Sequence, residues 1–169
     1  MRFDELIHWN DGLFMQPHHL QYLQRVMMQY GQKNRSFAFS YPEGLIDFDF
    51  DREALTSGRV VIKRFSAVMP DGTCISQPGN VHLPTLSLNE VIQAHEGSFQ
   101  VFLAVPVWSE FEPNQVDYGD EQKRLYKTAE KQVRDENTGD NEIALVTRQV
   151  NARLVTEYDD MTDLSVLPI

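Results

Sequence analysis

The chain has 169 residues, 41% apolar and 24% charged, values that suit one globular domain able to bury roughly 70% of its unfolded surface without a disulfide or metal staple. Lys and Arg number 15 against 25 Asp and Glu, a net charge of -10, which argues against a basic face for nucleic acid and against attraction to anionic membranes. Its single cysteine, Cys74, excludes a disulfide scaffold or thiolate zinc site, and its longest apolar run, Val101 to Trp108, falls far short of the ~20 residues of a membrane span.

The acidic opening, Met1 to Glu5, is unlike a signal peptide, so a cytoplasmic protein is expected. Leu6-Ile7-His8-Trp9 is short and apolar, and Asn10-Asp11-Gly12 signals a turn, because these residues tolerate positive φ. Leu13-Phe14-Met15 follows, and Pro17 supplies a φ suited to a first helical position. Leu20, Leu23, Val26, Met27 and Tyr30 then recur every three or four residues, opposed by Gln21, Gln24, Arg25 and Gln32. Gly31 with Lys33 and Arg35 behind it makes a helix end, so the spacing predicts a helix over about 17–33. Residues 1–16 form an extended segment ahead of it.

Beyond the helix the period falls to two. Ile46, Phe48 and Phe50 alternate with Asp47, Asp49 and Asp51, as in a half-buried strand. Arg59 to Met69 is rich in Val, Ile and Phe, and Pro70-Asp71-Gly72 turns it back towards Thr73 to Ser76. Phe99 to Trp108 reads as a strand covered on both faces, with Pro106 at an edge or bulge. Leu125 to Arg134, Glu142 to Val150 and Ala152 to Tyr158 add further strands, with a turn at Thr138-Gly139-Asp140. Short strands with frequent turns over about 44–169 predict a mainly β fold, a β-sandwich or barrel with one N-terminal α-helix. Leu164 to Ile169 end the chain on apolar residues, as expected of a piece of a longer protein.

No catalytic set stands out. His18 and His19 are adjacent, so on a helix they point about 100° apart and do not readily share one metal. Asp47, Asp49 and Asp51 resemble the start of a calcium loop, but Arg52 stands where that loop needs glycine and Gly58 where it needs a bidentate Glu. The row fits the wet face of a strand, with a basic partner as the other reading. Cys74 reads as a small semi-buried strand residue. No G-x-S-x-G elbow or phosphate-cradling glycine loop occurs, and neither an enzyme, a metal nor a cofactor is expected. Trp9, Trp108 and Tyr118 offer a sugar-stacking surface on a β-sandwich, the alternative function. The segment Trp9 to Met15 carries two equal readings: a staple folded back on the helix, or an aromatic anchor for a partner's groove.

The run Trp9-Asn10-Asp11-Gly12-Leu13-Phe14-Met15-Gln16-Pro17-His18-His19-Leu20-Gln21 resembles the opening of the type VI secretion baseplate subunit family TssK (ImpJ/VasE), where the pattern is roughly W-x-E-G-[LM]-F-L-x-P-Q-H-F-Q. Trp9, Gly12, Leu13, Phe14, Pro17, His19 and Gln21 match it, while Asp11, Met15, His18 and Leu20 depart from it mildly. Tyr41-Pro42-Glu43-Gly44-Leu45 resembles a family Y-x-W/x-G-L stretch, with Glu43 where an aromatic is usual. Pro70-Asp71-Gly72, Val133-Arg134-Asp135 and Leu167-Pro168-Ile169 fall in family order. The resemblance implies a non-enzymatic cytoplasmic homotrimer similar to the receptor-binding proteins of tailed phages. Its N-terminal β-sandwich shoulder docks on the wedge subunits TssF and TssG. A helical bundle and head, absent here, would link to the membrane complex of TssJ, TssL and TssM. The docking residues expected here are Trp9, Leu13, Phe14, Pro17 and His19.

Overall fold

The computed structural model describes residues 4–116 and 124–169. The chain divides after Pro42 into two units, Met1–Pro42 and Glu43–Ile169.

The first unit is built on helix α1, Pro17–Ala38, with proline at its first turn as expected. The helix continues five residues past the predicted end. A glycine inside a helix costs about 1 kcal/mol, and Gly31 neither takes a left-handed φ nor stops the helix. The stop is Phe39, extended at φ -128 and ψ 135, whose N–H donates to Arg35 C=O at 2.9 Å; Pro42 follows, where a helix could not continue. The apolar stripe is also split. Val26 is buried and Leu23 half-buried, whereas Leu20 is 56% and Met27 63% exposed. Spacing located the apolar face but not the part of it that is covered.

The second unit begins with β1, Gly44–Phe50, and α2, Arg52–Thr56. Then come β2, Arg59–Val60; β3, Ile62–Val68; β4, Cys74–Gln77; β5, Leu86–Ser87; and α3, Asn89–Ala94. The remaining strands are β6, Val101–Pro106; β7, Gln115–Val116; β8, Tyr126–Val133; β9, Ile143–Val150; β10, Arg153–Thr156; and β11, Leu164–Pro168. Two antiparallel three-stranded sheets, ordered β1-β3-β4 and β10-β6-β11, form the sandwich. Phe65, Ala67 and Ile75 from the first sheet share one core with Leu103, Val105, Leu154 and Leu167 from the second. Two further sheets complete the unit, two-stranded β2-β5 and three-stranded β7-β8-β9.

The run around β6 is covered on both faces, as its unbroken apolar character predicted: Leu103, Ala104 and Val105 are all buried. Pro106 closes β6 opposite Leu164, beyond the reach of β10, which ends opposite Ala104. Its missing donor therefore falls where no ladder bond is needed. The predicted turn at Pro70-Asp71-Gly72 is present, with Gly72 at φ 85 and Gly72 N–H donating to Met69 C=O at 2.7 Å.

The apolar residues from Leu164 form strand β11, with Leu167 buried against β6. Three expectations need correction. Cys74 is exposed, because alternation along β4 sends Ile75 inward instead. The stretch after β1 is not all strand. Asp51 leaves the alternating row to cap α2, its carboxylate accepting from the N–H groups of Glu53 at 3.0 Å and Ala54 at 3.1 Å. Ile46 was expected half-buried and is 75% exposed, because β1 shifts register between Leu45 and Asp47.

Candidate docking site

The segment before α1 turns where the sequence places a turn. Leu13 N–H donates to Asn10 C=O at 3.3 Å across Asp11 and Gly12, with Gly12 at φ 82, a third turn position that glycine fills without steric cost. At the helix start His19 N–H donates to Gln16 C=O at 3.0 Å, and Gln16 N–H donates to His19 Nδ1 at 3.1 Å. The His19 imidazole thus satisfies a backbone donor in the manner of a capping-box carboxamide, which fixes how the chain enters the helix. His18 is exposed and takes no part in that cap.

The segment is held at one end and open at the other. Tyr22 hydroxyl donates to Glu5 C=O at 2.7 Å, and Arg25 pairs with Asp4 at 3.6 Å. The Trp9 ring lies 6.4 Å from the His19 ring, tilted by 39°, and remains 49% exposed. These contacts make residues 4–9 a staple along α1. After the turn the pattern reverses: Leu13 is half-buried, while Phe14 is 80% and Met15 54% exposed, with Pro17 exposed behind them. The two readings of Trp9 to Met15 therefore divide along the segment, Trp9 serving the staple and Phe14 and Met15 lying open to solvent. Leu20 and Met27, seven residues apart on one side of α1, are exposed as well. Exposed apolar groups that nothing in their own fold covers mark interaction surfaces.

Other candidates do not assemble into a site. Asp47 pairs with Arg64 at 2.9 Å and Asp51 with Lys63 at 3.1 Å, so two members of the aspartate row find their cations within the chain, on β3. The bonds from Ala54 and Lys63 hold the Asp51 carboxyl below its ordinary 3.8. Among the described residues no three His, Cys, Asp or Glu side chains gather as a metal cluster. Of the proposed sugar platform, Trp108 is 39% exposed two residues beyond β6, and Tyr118 lies outside the described residues. Tyr41, quoted above only within a family-like stretch, is 90% exposed, and sequence reasoning passed over Phe111, 92% exposed. Phe111 sits in a loop held by paired bonds between Ser109 and Asn114, at 2.7 and 2.6 Å; without periodicity, only the Ser–x–x–x–x–Asn spacing hinted at it. Among the described residues no helix is long and apolar enough to cross a membrane.

Residues 19–169 match the family model T6SS_VasE, described as bacterial Type VI secretion, VC_A0110, EvfL, ImpJ, VasE. The chain belongs to this family. It is 25% identical over its whole length to the type VI secretion system baseplate component TssK1 of Pseudomonas aeruginosa. Two solved structures share the fold of this T6SS_VasE chain. A TssK-TssF-TssG baseplate subcomplex contains a chain superposing over 100% of this one and 56% of its own length, with a TM-score of 0.88 at 21% identity. A crystal structure of TssK gives 0.84 at 22% identity, over 98% of this chain and 37% of that one. The chain spans 38% of the length of the P. aeruginosa relative. The mainly β architecture with an N-terminal helix, expected from the residues, is shared with the TssK crystal structure.

Proposed function

We propose that the chain is a structural, non-enzymatic part of a type VI secretion baseplate that docks its subunit onto the TssF–TssG wedge. The observation that carries this reading is the superposition of the whole chain on one member of a TssK-TssF-TssG subcomplex. A docking module must present apolar surface that its own fold leaves uncovered, and the start of α1 does so through Phe14 and Met15. We take Phe14 as the anchor, with Leu13 closing the turn ahead of it, Pro17 opening the helix behind it, and Trp9 and His19 holding the staple. Residues 1–16 are thus the docking segment of a shoulder domain, working at the cytoplasmic face of the inner membrane. The rest of the longer subunit, a helical bundle and head, carries the trimer and links to the membrane complex of TssJ, TssL and TssM.

The test is capture of co-expressed TssF–TssG by the tagged chain, run beside Phe14→Ala with Met15→Ala and beside Trp9→Ala, with circular dichroism on each. Capture by the parent and loss in the folded Phe14/Met15 variant is the expected result. Equal capture by that variant moves the interface elsewhere on the domain. Failure of the folded parent to capture the wedge overturns the docking function.

A further inference from the structure

Among the described residues strand β9 is the outer strand of its sheet, pairing with β8 from Tyr126↔Val150 to Val133↔Ile143. Val150 N–H turns away from β8 to donate to Asn80 C=O at 2.9 Å. By the two-residue alternation of a strand, the backbone groups of Arg148, Val146 and Ala144 face the same outer edge. Among the described residues, no segment hydrogen-bonds to that edge over 143–147. Native sheets usually blunt such edges with lysine, proline, bulges or shortness. Here the edge reads Ile143-Ala144-Leu145-Val146-Thr147, unbroken in register, with Ile143 59%, Leu145 47% and Val146 67% exposed.

Charges of opposite sign bracket this run, Glu142 just ahead of the strand and Arg148 within it. Opposite charges across a strand pair stabilise it, and like charges oppose it. Laid antiparallel on a second copy with Leu145 at the centre, Ala144 meets Val146 of the copy, Ile143 meets Thr147, and Glu142 meets Arg148, twice by symmetry. The outward-facing residues then fall opposite one another, so the backbone groups that β8 does not use are satisfied. Centring on Val146 instead places Arg148 against Ala144 and Glu142 against Val150, whose N–H already serves Asn80. Centring on Ala144 places Glu142 against Val146 and leaves the charge pair unmade. Within one chain Glu142 lies 3.5 Å from Arg134, and Arg148 stacks 4.7 Å over Tyr126. Both side chains are exposed and can take a second partner across the edge.

We propose that β9 is a self-association strand, pairing antiparallel with β9 of a second copy about a two-fold axis at Leu145 to make a continuous six-stranded sheet. This pairing stands apart from wedge docking, since it uses neither the start of α1 nor any wedge protein.

The axis makes a sharp test. In a Cys74→Ser background, Leu145→Cys places two thiols opposite each other in a non-hydrogen-bonded pair, about 4.5 Å between Cα atoms, within disulfide reach. Thr147→Cys is the out-of-register control, its two copies four residues apart along the strands, roughly 13 Å. Mild oxidation should cross-link the first variant into a dimer at least about tenfold faster than the second. Equal cross-linking, or none in the first, overturns the register. Sedimentation equilibrium supplies the second measurement, comparing the parent with Glu142→Arg, Arg148→Glu and the double reversal. Each single reversal should weaken dimerisation about tenfold or more, and the double should restore it. Val146→Pro removes an outward N–H that β8 does not use, as edge strands tolerate, and should yield a folded monomer. A parent that sediments as a monomer at millimolar concentration overturns the proposal, as does finding the edge occupied instead by a strand from a different protein while the chain itself stays monomeric.

Discussion

Apolar side chains of similar size meet opposite fates in the two units. In the sandwich, Phe65, Met69 and Leu103 are at most 1% exposed. In the helical unit, Phe14 is 80%, Phe37 69% and Met27 63% exposed. The sandwich uses its apolar residues to fold. The helical unit leaves much of its own in water, where each adds little to folding and stays available to a partner. The contrast separates residues that hold this chain together from residues available to hold it to another.

Substitutions can break or sharpen that contrast. The largest effect belongs to the core: Phe65→Ala should lower stability by about 3–5 kcal/mol in urea unfolding, enough to threaten the fold outright. A loss below about 1 kcal/mol would mean that the two sheets do not share the tight core described here. Next comes a polar tie inside the sandwich. Buried Thr156 donates through both its N–H, at 2.7 Å, and its hydroxyl, at 2.8 Å, to Asp159 Oδ2. Asp159→Ala strands those donors and should cost about 1–3 kcal/mol by the same assay. Trp9 straddles the contrast, half-exposed yet set against His19. Trp9→Ala should cost about 1 kcal/mol, and a much larger loss would make the pre-helix segment part of the folding core.

The smallest effect concerns Asp51, whose carboxyl is held below 3.8 in the folded chain, first by the Ala54 N–H and then by Lys63. The unfolded chain takes up that proton first, so the contribution is present above 3.8 and fades as pH falls below it. Asp51→Asn keeps a side chain able to cap α2 but removes the charge. It should therefore lower neutral stability slightly, leave stability well below 3.8 nearly unchanged, and make acid unfolding less steep with pH. An acid slope equal to the parent's would remove Asp51 from the account.

Much of the fold was legible because its signals are local. The apolar run of β6, the Asn10-Asp11-Gly12 and Pro70-Asp71-Gly72 turns and the proline opening α1 each carry a conformational reason in a few residues. What escaped were features set by competition or context. Asp51 reads equally well as the third beat of an alternating strand and as a helix cap, and α2 has five residues, too few to display a helical period. Gly31 looked like a stop because glycine often ends helices, but the left-handed turn of such an ending never forms. The stripe on α1 was visible as spacing, whereas its division into covered Val26 and open Leu20 and Met27 depends on what lies against each. The candidate site was legible as a segment, since Trp9 to His19 stand out in the sequence, but its division at Gly12 into a held half and an open half needed three dimensions.

The most direct test of the central claim is a paired measurement on Phe14→Ala: its urea midpoint, and its affinity for purified TssF–TssG by biolayer interferometry. An exposed side chain should change stability by less than about 0.5 kcal/mol, while an aromatic anchor at an interface should lose affinity about 30-fold. That outcome, unchanged folding with lost binding, is the one expected here. Unchanged binding, or binding lost only in step with folding, would contradict it.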